Sequence, residues 1–337
     1  MSLAAKFAKR ARIAAALAGE RPDRLPLGLW VHFPDRDGDP ADLARATIDF
    51  YRRYDLDFIK ITPRMPGAIE NWGATLGPYH PARGFYFIAG RPIHEPQDWY
   101  GLTRIAPDRG AQAAQLETLR LVKAELGDEA PILMTLFAPS MAASFVADDA
   151  TFTRHLREEP EALTAGLNTI AQTTADFGFA ALEAGADGIF LGIKHASGRV
   201  LPHAAYDALD RTFDRPVAQA FHERSTLSIV HIHGGELDFD RFAAYPMHAL
   251  SWYDRVDGPQ LDRARMALPG IAFAGGVDHE RTLMLGTPEE IEAEVAEAAA
   301  ETGGRRFVVA PGCTLPIVVP HESLRAVREA VNAVVPS

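Results

Sequence analysis

"TLSIVHIHGGELDFDRFAAY", residues 226–245, reads as a strand, a tight turn and a short helix in succession. The β-branched run 226–233 ends in His231 and His233, Gly234 and Gly235 let the chain turn sharply, and 236–245 carries a helical pattern. On a strand, residues i and i+2 share a face. Ile229, His231 and His233 therefore share one face, and Val230 and Ile232 the other. The aliphatic pair suits packing against helices. The imidazoles then point inward, or upward at a rim.

The same unit recurs along the chain. Short β-rich runs at 25–31, 57–61, 131–137, 187–193, 226–233, 248–252, 270–276 and 306–310 alternate with helical stretches at 40–54, 112–126, 161–186, 236–245, 258–268, 287–302 and 321–335. Asp108 is a candidate cap for the helix at 112–126. Thr287, Pro288 and Glu290 open the next-to-last helix as a capping box. Eight apolar strands with intervening helices predict an α/β chain, a single (β/α)8 TIM barrel over 1–337. An open doubly wound sheet is the alternative, but no G-x-G-x-x-G follows the first strand. An N-terminal helix from about Leu3 to Ala18, ended by Gly19, precedes the barrel. Residues 63–110, rich in Gly, Pro and aromatics and without period, read as a long insertion after the second strand.

Composition excludes several function classes. The net charge of −11 argues against non-specific binding to nucleic acid or an anionic membrane. One cysteine, Cys313, rules out an intramolecular disulfide. The basic, Ala-rich start lacks a clean apolar core followed by a cleavage site, because Lys6, Lys9, Arg10 and Arg12 interrupt it. No apolar run approaches the ~20 residues of a membrane span. The expected location is cytoplasmic.

A barrel carries its chemistry just after its strands, on one rim. A lone histidine there reads first as a core residue paired to polar neighbours. Two on one face of a strand end, with Cys313 in "APGCTLP" after the eighth strand, form a three-ligand set suited to zinc with a fourth position open. The fifth and eighth strands are not neighbours, so loops must bring these ligands together. Glu236 and Asp278 are further ligand candidates, or else carboxylates at helix N-termini. Trp30 and His32 follow strand one, Lys60, Thr62 and Arg64 strand two, Lys194 and His195 strand four, and Trp252, Tyr253 and Asp254 strand six.

Longer stretches resemble the uroporphyrinogen decarboxylase superfamily, in order and over nearly the whole chain. These are "RIAAALAGERPDRLPLGLW", "PILMTLFAPSMAASFV", "ALEAGADGIFL", "ALSWYDRVDGPQLDRARMALPGIAFAGGVDHERTLMLGTPEEI" and "GCTLPIVVPHESLRAVREAV". The resemblance implies a (β/α)8 barrel. It departs from the true decarboxylases. Their arginine-bearing run after strand one is replaced by Trp30-Val31-His32-Phe33-Pro34, their aspartate after strand two is absent from "IKITPR", and their loop tyrosine aligns with Phe145. Their serine after strand four falls near Lys194, and their final histidine aligns with Cys313.

The zinc-dependent methyltransferase branch is closer. Its His-x-Cys pair and later Cys fall on His231, His233 and Cys313, with His233 standing where a Cys is usual. The resemblance then implies zinc, transfer of a methyl group, a separate corrinoid protein as donor, a small-molecule acceptor and a homodimer. Around the metal set, Lys194, His195 and Asp278 are candidate catalytic residues. Trp30, His32, Arg64, Phe145 and Trp252 are candidate substrate contacts, and Trp72, Tyr79, Phe85 and Tyr86 candidate cover for the pocket. The alternatives are a decarboxylase or lyase acting on a small carboxylated substrate, and a non-enzymatic barrel that binds a corrinoid or another protein.

Overall fold

The computed structural model describes residues 8–334. Strand alternation organises it. The strands are β1 (Ile59–Ile61), β2 (Thr75–Tyr79), β3 (Tyr86–Gly90), β4 (Ile132–Phe137), β5 (Gly188–Ile193), β6 (Ile229–Ile232), β7 (Ala249–Ser251), β8 (Ala272–Val277) and β9 (Phe307–Pro311). β2 and β3 form an antiparallel hairpin. The other seven form one parallel sheet in the order β1-β4-β5-β6-β7-β8-β9.

Residues 25–31, read from sequence as the first strand, fill the gap between β9 and β1. On one side the Gly28 N–H donates to the Val309 carbonyl at 2.9 Å and the Val309 N–H to the Pro26 carbonyl at 2.9 Å. On the other, the Asp57 N–H donates to the Leu27 carbonyl at 2.8 Å. Eight segments thus close the barrel. The first makes only isolated bridges, Leu27 to Val309 and Val31 to Leu315, rather than a continuous ladder. Pro26 has no N–H to give to one. Gly28 is required for closeness: a Cβ there would lie 2.1 Å from the Phe58 ring.

Buried charge locks this closure. Asp57 is fully buried and accepts from Arg12 Nη1 at 2.5 Å, Arg24 Nη1 at 2.6 Å and the Leu27 N–H at 2.8 Å. These bonds tie the first helix, the first segment and the approach to β1 together, and they satisfy a carboxylate that would be costly to bury alone.

Alternation then sorts the apolar residues into two layers. Trp30, Phe58, Leu133, Phe190, Ile229, Ala249, Ala272 and Val308 face inward and fill the barrel. Their strand neighbours, among them Ile59, Ile61, Val230, Ile232 and Leu250, belong to the larger core between sheet and helices.

The outer helices include Pro40–Arg53, Gly110–Leu126, Pro160–Glu183, Pro288–Thr302 and His321–Ala333. The first helix runs Lys9–Ala18 and ends at Gly19 with φ 77°. The part of that expectation on residues 3–7 lies outside the described residues, as does residue 335 of the last. The Thr287–Glu290 capping box forms reciprocally. Asp108 does not cap Gly110–Leu126. The Ala111 N–H donates instead to Asn71 Oδ1 at 3.1 Å, a partner distant in sequence. The stretch 236–245 makes only a 3-10 turn, Phe239–Ala244, too short to complete an α-helix. Residues 63–110 carry the β2–β3 hairpin and two 3-10 turns, Ala68–Trp72 and Pro96–Gly101. No helix among the described residues is long and apolar enough to cross a membrane.

Candidate functional site

The inward positions at the strand ends converge on a cavity of about 450 Å³. Its wall follows the period of two: His32 after the first segment, Lys60 in β1 and Thr62 just past it, Thr135 and Phe137 in β4, Phe190 and Gly192 in β5 and Lys194 just past it, and His231 in β6 with His233 just past it. Tyr253 and Cys313 continue it after β7 and β9, and Phe85, Tyr86, Phe87 and Ile88 of the hairpin cover one side.

His231, His233 and Cys313 meet at this wall. Each offers one ligand atom, and the three atoms lie within 4.8 Å of one another. Among the described residues theirs is the one such cluster of three or more His, Cys, Asp or Glu. The loop after β9 reaches across the ends of β7 and β8 to bring Cys313 to His231 and His233. Gly234 turns the β6 end with φ 102°, and a Cβ there would press on Ser197 Oγ at 2.8 Å.

The donor set fits a zinc ion. His231 is 6% exposed, its Nδ1 is 3.2 Å from Ser251 Oγ, and its Nε2 is buried with no hydrogen-bond partner among the described residues. An orphaned buried nitrogen is rare unless something occupies it. Cys313 Sγ lies 3.9 Å from His233 Nδ1. Tetrahedral zinc on two nitrogens and a sulfur sets them roughly 3.3–3.6 Å apart, so the three would draw in to close on the ion. Burial alone would push the Cys313 thiol up, but the adjacent His231 and His233 outweigh it and hold the thiol well below its usual range. A thiolate is the form that binds metal.

Tyr253 completes the group. Its hydroxyl lies 2.8 Å from His233 Nδ1, and burial together with the Cys313 sulfur pushes its phenol well above the usual range. His279, fully buried, packs edge-on against Tyr253 at 5.2 Å, with neither ring nitrogen hydrogen-bonded to a described residue. Lys60 is the other residue that strand-end reading underweighted. It is 7% exposed, and burial pushes its ammonium down to about 7 while the Cys313 sulfur pulls the other way. Beside it, burial first and then Lys60 push His32 down to about 3, so that imidazole is neutral at physiological pH.

Other candidates fall elsewhere. Phe145 and Lys194 line the cavity, with the Lys194 Nζ held by both Asp149 oxygens at 2.6 Å. Trp30 points inward but lies below the cavity, in the barrel filling. His195 does not reach it. Its strand parity is opposite to Lys194, and its ring is buried against Phe152 with Nδ1 3.2 Å from Ser140 Oγ. Trp252 is likewise of outward parity, packed on Phe239 and Phe273 and donating to the Pro259 carbonyl at 2.9 Å. Asp278 caps its own turn by accepting from the Glu280 and Arg281 N–H groups at 2.8 and 2.9 Å. Glu236 is exposed and faces Arg199. Arg64 stacks behind Tyr86 at 4.6 Å, off the lining. Of the candidate covering aromatics, Phe85 and Tyr86 line the cavity. Trp72 and Tyr79 bond instead to the Thr103 carbonyl and to Asp35.

Residues 8–334 match the uroporphyrinogen decarboxylase (URO-D) family. The chain belongs to that family. Within reach of it, methylcobamide:CoM methyltransferase MtaA from Methanosarcina barkeri is 22% identical over 346 residues, covering 96% of this chain and 98% of that one. Methylcobamide:CoM methyltransferase MtbA from Methanosarcina acetivorans is 23% identical over 241 residues, 71% of this chain and 69% of its own. A solved structure of a methyltransferase from Methanosarcina mazei superposes with a TM-score of 0.83 at 22% identity, over 97% of this chain and 98% of that one. That likeness is one of fold, and it is the fold that the eight-segment closure describes.

Proposed function

We propose that this member of the family is a methyltransferase. In this reading a zinc ion is held by His231, His233 and Cys313, and a methyl group passes from a corrinoid on a partner protein to a nucleophile bound in the cavity. The observation that carries the reading is the buried Nε2 of His231, without a hydrogen-bond partner among the described residues, on a residue that shares a 4.8 Å donor set with His233 and Cys313. The names of the relatives, methylcobamide:CoM methyltransferases, support the same chemistry.

When bound, zinc supplies the Lewis acidity that lets a coordinated thiol or water exist as its anion at neutral pH. The chain's own residues do the rest. Ser251 sets the orientation of the His231 ring. The Cys313 thiolate contributes the donor set's one negative charge, which leaves room for a second anion, the nucleophile. The Tyr253 hydroxyl, kept protonated by burial, stands next to His233 as a hydrogen-bond donor to whatever binds there. Phe85, Phe137 and Phe145 give the cavity an apolar wall that limits competing water.

The test is elemental analysis joined to turnover. Wild-type protein is expected to carry about one zinc per chain, and the His231→Ala/Cys313→Ala double variant none. Only the wild type should demethylate methylcobalamin in the presence of a thiol panel. Metal-free wild-type protein, with full methyl transfer by His231→Ala, would sink the reading.

A further inference from the structure

The cations that line the cavity are satisfied by the chain, with one exception. Lys194 is held by Asp149, Arg83 by Glu280 Oε1 at 2.7 Å, and Arg91 donates to the Phe145 carbonyl. Lys60 makes no hydrogen bond or ion pair with any described residue. Its Nζ stands only over aromatic faces, 4.7 Å from the Phe190 ring centre and 5.9 Å from that of Trp30. A cation–π contact offsets a small part of what it costs to take an ammonium out of water. The acids at the wall are spent: Asp149 on Lys194, and Asp148 on the Thr151 N–H at 2.8 Å. Among the described residues only the Cys313 sulfur acts on it as a negative charge, without a hydrogen bond, so the ammonium is open to an anion from outside.

Position gives the anion a role. Phe190, which lies under the Lys60 ammonium, also stacks on His231, with ring centres 5.6 Å apart. Lys60 and the His231 ring are thus separated by no more than the sum of two aromatic contacts, the span of a small molecule. His32 adds a second polar element at the same end, lining the cavity with a buried Nδ1 that has no partner among the described residues.

We infer that Lys60 binds the anionic end of the substrate, a carboxylate, sulfonate or phosphate. The substrate then lies along the Phe190 face with its reacting end toward His231, His233 and Cys313. This rests on the cavity being the substrate site, but not on a metal being bound there. Lys60 is a specificity residue in this scheme. It sorts anionic from neutral molecules and fixes how far the reacting atom stands from the anchor.

The test is calorimetric titration of butyrate, propanesulfonate and propyl phosphate, with butyramide as the uncharged control. Wild type and Lys60→Met are compared at pH 6, each with zinc added and again after chelation. At least one anion should bind wild-type protein about tenfold or more tighter than butyramide, and Lys60→Met should lose that preference by a similar factor. Which anion binds best identifies the oxyacid class. The loss should appear both with zinc and after chelation, which separates this inference from the metal reading. Methionine removes a buried charge, so Lys60→Met should melt at or above the wild-type temperature. Lys60→Gln repeats the measurement if it does not fold. Anion binding no tighter than butyramide, or equal in wild type and in the folded Lys60 variant, would overturn the inference.

Discussion

Ser251 holds His231. The hydroxyl at the end of β7 sits 3.2 Å from Nδ1 of the ring at the end of β6, and the two residues are registered opposite each other in the parallel sheet. One ring nitrogen is thereby fixed and the other, Nε2, is turned free. Outer partners of this kind set both the tautomer and the direction of a ligating imidazole, and losing one costs about 10–100-fold in metal affinity. Ser251→Ala should weaken zinc binding by about that factor in a chelator competition. Ser251→Thr, which keeps the hydroxyl, should restore much of it. A purely structural serine would shift the melting temperature in Ser251→Ala and leave zinc affinity alone.

Cys313 is the chain's single cysteine, which makes it directly readable. It is half-buried at the cavity wall, and its thiol is held low by two imidazoles. In chelator-treated protein, iodoacetamide should modify one thiol per chain, and added zinc should slow the reaction by about tenfold or more, since a metal-bound thiolate is a poorer nucleophile. Magnesium should not protect, because it prefers oxygen ligands. Equal rates with and without zinc would mean that Cys313 is not a ligand.

Much of this arrangement was legible because strand parity survives folding. His231 and His233 are two apart on one strand, and the structure turns both inward with Ile229 below them. The same rule, applied to every strand end, separates residues that adjacency alone lumps together. Lys194 continues the inward set Phe190 and Gly192, whereas His195 falls on the opposite face. Tyr253 continues Ser251, whereas Trp252 packs outward. Lys60 sits between the outward Ile59 and Ile61. What parity does not reach is the loops. Asp278 ends a strand of the right parity, but its carboxylate is consumed by the turn that follows. Cys313 arrives at the pair only because its loop crosses two strand ends. The Asn71 cap comes from a segment whose sequence shows no period, and the 25–31 segment pairs through isolated bridges rather than a continuous ladder.

Gly234 is where loop geometry and site meet. Its φ of 102° is open to glycine and strained for any other residue, and an added Cβ would lie 2.8 Å from Ser197 Oγ. Gly234→Ala should destabilise the fold by about 1–3 kcal/mol, from backbone strain and close contact together. The strain falls on the residue after His233, so zinc affinity should drop as well, more than it does in an equally destabilised variant far from the rim. Thermal melting and zinc competition on both variants check the pair of effects.

Asp254 gives a pH signature independent of the metal. It is fully buried beside Gly275 and Gly276 of β8, with Oδ2 accepting from the Gly276 N–H at 2.9 Å and Oδ1 unpartnered among the described residues. Burial pushes its carboxyl up to about 7 from the ordinary 3.8, against the pull of Arg255. The folded state therefore keeps a proton that the unfolded chain releases above about 4. Stability from this group is fully present below that pH and declines as pH rises through the window to about 7, with a slope of up to about 1.4 kcal/mol per pH unit. Above about 7 the folded state has lost the proton too, and the decline stops. Asp254→Asn keeps an oxygen for the Gly276 N–H and carries no proton to lose, so its melting temperature should exceed that of wild type at pH 8 and converge on it at pH 4. Denaturant melts at intervals from pH 4 to 8 read this out. A constant gap between the two proteins across that range would mean that Asp254 is ionised throughout and that Arg255, 3.7 Å away, is enough to hold it.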